Sequence, residues 1–108
     1  MVKIVSKEQE NKNLEETFKT LESITQEMFS ECIIKRPSHP TLSNKYERTI
    51  YTQGITSVPS YYANQVNVSL GPGPFYLRIY DERAHDDALR LAQAYEHTLK
   101  REFTLYTP

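Results

Sequence analysis

A chain of 108 residues can remove roughly two-thirds of its unfolded surface from water, enough for one hydrophobic core and too little for two. Thirteen Lys and Arg against fourteen Asp and Glu leave a formal net charge of -1, which excludes a global positive field drawing the chain to phosphate backbones or anionic lipid; such binding would have to be local. With 38% hydrophobic and 25% charged residues the composition is that of a folded domain, and no stretch approaches the roughly 18 apolar residues of a membrane span.

Residues 1–12 are charged and lack the apolar core of a signal peptide, so they are expected to form a flexible arm of a cytoplasmic, or else nuclear, protein. From Asn13 the pattern changes. Leu14, Phe18, Leu21, Ile24 and Met28 recur at steps of three and four, which puts them on one helical face and Glu15, Lys19, Glu22 and Gln26 on the other. Asn13 followed by Glu16 resembles a capping box, so the first helix is predicted over residues 14–30. Cys32 to Arg36 is predicted as a short strand halted by Pro37 and Pro40. Cys32 is the only cysteine, which rules out an internal disulfide and a thiolate zinc site; beside Ile33 and Ile34 it reads as a buried, inert thiol.

Tyr46 to Thr52, rich in β-branched and aromatic residues, is predicted as the next strand, followed by a long loop from Gly54 through Ser57, Pro59 and Ser60 to Ala63. The clearest strand signal is Gln65 to Leu70, where Val66, Val68 and Leu70 alternate with Gln65, Asn67 and Ser69. Gly71-Pro72-Gly73-Pro74 reads as a type II hairpin turn. As a phosphate-cradling loop it fails, because two prolines remove amide donors and no Lys-Ser or Lys-Thr follows. Phe75 to Tyr80 then returns antiparallel with Phe75, Leu77 and Ile79 on the apolar face. Asp81 is expected to cap a last helix whose stripe is Ala84, Ala88, Leu91, Ala92, Tyr95, Leu99 and Phe103.

Two helical stripes and one apolar sheet face need one another. The expected architecture is a two-layer α+β sandwich in the order helix, three or four antiparallel strands, helix, with both helices on one face of the sheet. The single domain covers residues 13–103 and a tail covers 104–108; Phe18, Leu21, Leu77, Ile79, Leu91 and Tyr95 are its predicted core.

This layout leaves the other sheet face open, and Tyr76, Arg78 and Tyr80 fall on it with Gln65, Asn67 and Ser69, joined by Tyr51 or Tyr46 depending on register. Tyr and Arg are enriched at protein interfaces, so the expected function is non-catalytic protein binding, as a homodimer or as a small subunit of an assembly. Base stacking on RNA is the alternative for the same face. A second candidate is Arg83, Arg90, His97 and Arg101, which share an arc of the last helix and could follow a nucleic-acid backbone. Pairing of Asp86 with Arg90 and of Glu96 with Lys100 would instead make that arc an ordinary solvated face.

The order helix, three strands, helix resembles that of the double-stranded RNA-binding domain and of helix-strand-helix subunits of ribonucleoprotein particles. Where the RNA-binding family has a lysine-rich start to its second helix, this chain reads Asp81, Glu82, Arg83, Ala84, His85, Asp86, Asp87, so the resemblance transfers no binding residue. His39, His85 and His97 do not form a metal-ligand spacing, and no HExxH, GxSxG or Walker sequence occurs. No catalytic residue, cofactor or metal is expected.

Overall fold

The computed structural model describes residues 2–42, 44–54 and 61–108. The expected loop signals at Ser57, Pro59 and Ser60 lie outside the described residues.

Helix α1 (Lys7–Met28) begins two turns before its predicted start, and its N-cap is Ser6, whose Oγ accepts the Gln9 N–H at 3.1 Å. Residues 7–13 therefore belong to the helix rather than to a flexible arm. They face solvent all round, so no apolar stripe marks them, and Asn13 bonds the Gln9 side chain within the helix at 2.9 Å instead of capping it. From Leu14 onward the stripe is as expected, with Phe18, Leu21 and Thr25 buried.

Among the described residues, five strands form one sheet in the order β1 (Ile33–Lys35), β2 (Glu47–Tyr51), β3 (Gln65–Ser69), β4 (Phe75–Arg78) and β5 (Phe103–Tyr106). The first four pair antiparallel, and the β3–β4 turn contains a cis Gly71–Pro72 peptide with positive φ at Gly71 (117°) and Gly73 (99°), one glycine more than a type II turn requires. The fifth strand corrects the expectation of three or four antiparallel strands and of a tail at 104–108. After helix α2 (His85–Leu99), Lys100 takes the left-handed conformation (φ 54°) that ends the helix, and the chain runs back parallel to β4 with Phe75 opposite Phe103 and Arg78 opposite Tyr106. Phe103 thus continues the apolar surface as a strand residue, although its spacing fits the helical stripe too.

Both helices lie on one face of the sheet. Arg48 and Thr52 point to the same side by the strand period of two; the Arg48 guanidinium sits 3.8 Å over the Phe18 ring of α1, and Thr52 Oγ1 donates to Asp87 Oδ2 of α2 at 2.7 Å. The six predicted core residues are all buried: Phe18, Leu21, Leu77, Leu91 and Tyr95 at 0% exposure and Ile79 at 2%. Cys32 is half-buried against this core, and desolvation pushes its thiol pKa up, which disfavours the reactive thiolate.

Among the described residues, polar contacts anchor α2 at three points. Thr52 holds Asp87 near its start. In the middle, Tyr95 O–H donates to Thr25 Oγ1 at 2.6 Å, a direction set by the single Thr25 proton, which goes to Leu21 O at 2.8 Å. Toward its end, Glu96 Oε2 accepts the Phe103 N–H of β5 at 3.0 Å. The buried cation Arg48 (3% exposed) was not anticipated. It bonds Glu47 O at 2.8 Å and Glu15 at 3.4 Å, lies 3.6 Å from Glu22, and shares Glu15 with Arg36 at 3.2 Å. Burial lowers its pKa, with Arg36 adding to the effect and Glu15 and Glu22 opposing it.

Candidate functional site on the open sheet face

The strand alternation that sends Val66, Val68, Leu77 and Ile79 inward sends Asn67, Ser69, Tyr76, Arg78 and Tyr80 outward. Register aligns Lys35, Thr49, Asn67, Arg78 and Tyr106 in one row across all five strands. A flanking row carries Glu47, Ser69, Tyr76 and Thr104. Tyr51, the fourth expected interface residue, lies on the same face opposite Gln65, with Lys35 Nζ 5.9 Å from its ring. The expected tyrosine and arginine set is therefore brought onto one surface.

Arg78 is the centre of this surface. Its guanidinium lies 4.6 Å from the Tyr106 ring centroid and 5.7 Å from that of Tyr76, and the two rings meet edge-on at 5.3 Å. Cation–π attraction holds the planar group beside this ring pair. Among the described residues no carboxylate comes within ion-pair distance of Arg78, and no cation comes within ion-pair distance of the Glu47 carboxylate. A polar chain borders them: Gln65 Nε2 donates to Asn67 Oδ1, and Asn67 Nδ2 to Tyr80 Oη, each at 3.2 Å. Glu47, Asn67, Tyr76, Arg78 and Tyr80 rim a shallow depression of about 120 Å³. Tyr62, from the short 3-10 turn at Tyr61–Asn64, extends the aromatic surface by meeting Tyr80 edge-on at 5.5 Å.

Tyr106 is the contributor that sequence reasoning missed, because residues 104–108 were expected to form a tail. Its signal was present: Phe103 and Leu105 alternate with Thr104 and Tyr106 as a one-faced strand requires.

The basic quartet is dispersed. Arg83 precedes the regular helix and is held by Asp81, which accepts from its backbone N, Nε and Nη2 at 2.8–3.0 Å; the Arg83 side-chain bonds hold the Asp81 carboxyl down at about 2. Arg90 lies 5.3 Å over Phe29, His97 is exposed, and Arg101 stacks at 3.7 Å on Phe75 beyond the other end of α2. The expected side-chain pairs are replaced: Asp86 lies 3.7 Å from His85 and Glu96 is turned to Phe103. Arg101 borders a cleft of about 330 Å³ between α1 and the β3–β4 turn, in which Tyr46 Oη donates to Glu10 at 3.0 Å.

Among the described residues no group of three or more His, Cys, Asp or Glu could hold a metal ion, and no helix is long and apolar enough to cross a membrane. The five-stranded mixed sheet also departs from the three-strand order that resembles the double-stranded RNA-binding domain. No family model matches the chain, and no curated protein or solved structure is significantly similar to it.

Proposed function

We propose that this chain is a non-catalytic protein-interaction domain, working inside the cell as a self-associating adaptor or small subunit and binding through the open face of its sheet. The observation that carries this reading is Arg78 held against the paired rings of Tyr76 and Tyr106 with no carboxylate in ion-pair reach among the described residues. A cation prepositioned in that way costs little further side-chain entropy to bind, and tyrosine rings can be desolvated against a protein while their hydroxyls still find water in the free state. The face has a polar chain, Gln65 to Asn67 to Tyr80, to satisfy or exchange at a rim.

RNA is the weaker reading. Stacking would use the same rings, yet Lys35 and Arg78 against Glu47 leave this face a single net positive charge, and Arg83 is already paired with Asp81. The test is the double substitution Tyr76→Ala with Arg78→Ala. Association with whichever protein partner is isolated, or with itself, should weaken by more than about 2 kcal/mol while the fold is kept. Full-strength association by a folded double variant refutes the assignment to this face.

A further inference from the structure

We infer that the occupant of the open face is a second copy of the same chain, joined by reciprocal Glu47–Arg78 ion pairs about a two-fold axis. This rests on the reading of the open face as a protein-binding surface and commits it to one partner. Glu47 and Arg78 are opposite charges on one face, and neither has an ion-pair partner among the described residues. They flank β3, Glu47 on β2 and Arg78 on β4, displaced by two strands and two residues in register. With strands ~4.8 Å apart and ~3.4 Å of rise per residue, that displacement is roughly 12 Å between backbone positions, and the two side chains do not meet within the chain.

A face on which an unpaired anion and an unpaired cation stand apart can satisfy both against a second copy under two-fold symmetry. An axis lying in the plane of the face and crossing β3 between Asn67 and Ser69 sets each Glu47 over the Arg78 of the other copy, making two ion pairs from two lone charges. On the same idealised grid the third charge of the face, Lys35, meets Gln65 of the other copy rather than a second lysine. No like charges are opposed. The five strands span a footprint of roughly 24 Å by 17 Å, which places the contact at the small end of specific interfaces, so a dimer in reversible equilibrium with monomer is the expected form.

The test is sedimentation equilibrium of the full chain from micromolar to millimolar concentration. Wild type should dimerise, less tightly as salt rises. E47R and R78E should each weaken the dimer about tenfold or more, since each substitution opposes two pairs of like charges. Mixing E47R with R78E in equal amounts should restore dimerisation, because one chain then carries two arginines and the other two glutamates at these positions. The double variant E47R/R78E should restore it as well. Circular dichroism spectra and melts matching wild type establish that each variant is folded. A wild type that stays monomeric to millimolar concentration overturns the second copy as occupant, while loss of a heterologous complex on Tyr76→Ala with Arg78→Ala would still uphold the face as an interface. A dimer indifferent to all of these variants overturns both. Single variants that weaken the dimer without restoration in the mixture overturn the reciprocal pairing.

Discussion

Replacing Thr25 by Val should cost more than replacing Tyr95 by Phe, although each removes the same hydrogen bond. Both residues are at 0% exposure, and Tyr95 O–H donates to Thr25 Oγ1 at 2.6 Å while Thr25 donates to Leu21 O at 2.8 Å. In Y95F, Thr25 keeps the bond it donates and loses only one that it accepts, a cost of about 0.5–1.5 kcal/mol. In T25V, the Tyr95 hydroxyl stays inside the core with its donor unsatisfied, a cost of about 1–3 kcal/mol. Removing the orphaned hydroxyl as well relieves that penalty, so T25V/Y95F should be less destabilised than the sum of the single variants by about 1 kcal/mol. Urea denaturation followed by circular dichroism measures all three. In thermal terms T25V should melt about 4–8 °C lower for each kcal/mol lost. The same site predicts an alkaline signature. Burial pushes the Tyr95 phenol well above its ordinary value, with the Thr25 hydrogen bond opposing the effect in part. The unfolded phenol ionises near pH ~10 while the folded one does not, so the wild type should lose stability above that pH more steeply than Y95F does. Additivity within about 0.3 kcal/mol, or a Y95F variant weaker than T25V, would refute the assignment of donor and acceptor.

Arg48→Ala should cost about 2–3 kcal/mol, because it empties the space over Phe18 and removes a cation from between Glu15 and Glu22; Arg48→Met, which refills that space, should lose under about 1.5 kcal/mol. Equal losses in the two variants would show that charge rather than volume matters at this position. Asp81, held at about 2 in the fold against ~3.9 unfolded, stabilises the 3-10 turn Glu82–Ala84 that leads into α2 above pH ~4, and that contribution fades as pH falls toward 2. An NMR titration of the Arg83 amide should have its midpoint near 2, and a midpoint at or above 3.9 would contradict the bidentate contact. Anisotropy titrations with generic single-stranded or duplex RNA near physiological salt should detect no binding, on the grounds of a net charge of -1 and the neutralised Arg83; micromolar, steeply salt-dependent affinity would restore the RNA reading.

Periodicity revealed the parts of the fold where burial is one-sided. The stripe from Leu14 to Met28 and the alternation from Gln65 to Ser69 each have one apolar and one polar face, and residue type reports that difference directly. It failed where burial is not the organising force. Residues 7–13 of α1 are solvent-exposed all round, and the helix there rests on Ser6 capping and on the turns that follow. Phe103 satisfies a helical spacing of four from Leu99 as well as a strand spacing of two to Leu105, so only the left-handed Lys100 decides between them. Arg48 was illegible for another reason: a strand position two residues from Ile50 reads as exposed when it holds an arginine, and its burial depends on Phe18, Glu15 and Glu22, which are 26 to 33 residues away in sequence. On the open face, Tyr76, Arg78 and Tyr80 followed from alternation alone, whereas the choice of Tyr51 over Tyr46 needed the β2–β3 register and the ring pair beside Arg78 needed the parallel pairing that brings in Tyr106.

The three polar anchors of α2 have a mechanical consequence. Asp87 fixes the start of the helix to β2, Tyr95 fixes its flank to α1, and Glu96 fixes its far end to the backbone of β5. These attachments point in three directions and span about 13 Å of helix axis, which is the arrangement of a kinematic mount: translation along the axis, rocking and rotation are each opposed by a different contact. Sliding of one packed layer over another, a common way for two-layer domains to change shape, therefore has no free coordinate here. The open sheet face is stiffened from behind, and a partner should meet it as a rigid body, with the bound and free backbones differing by less than about 1 Å.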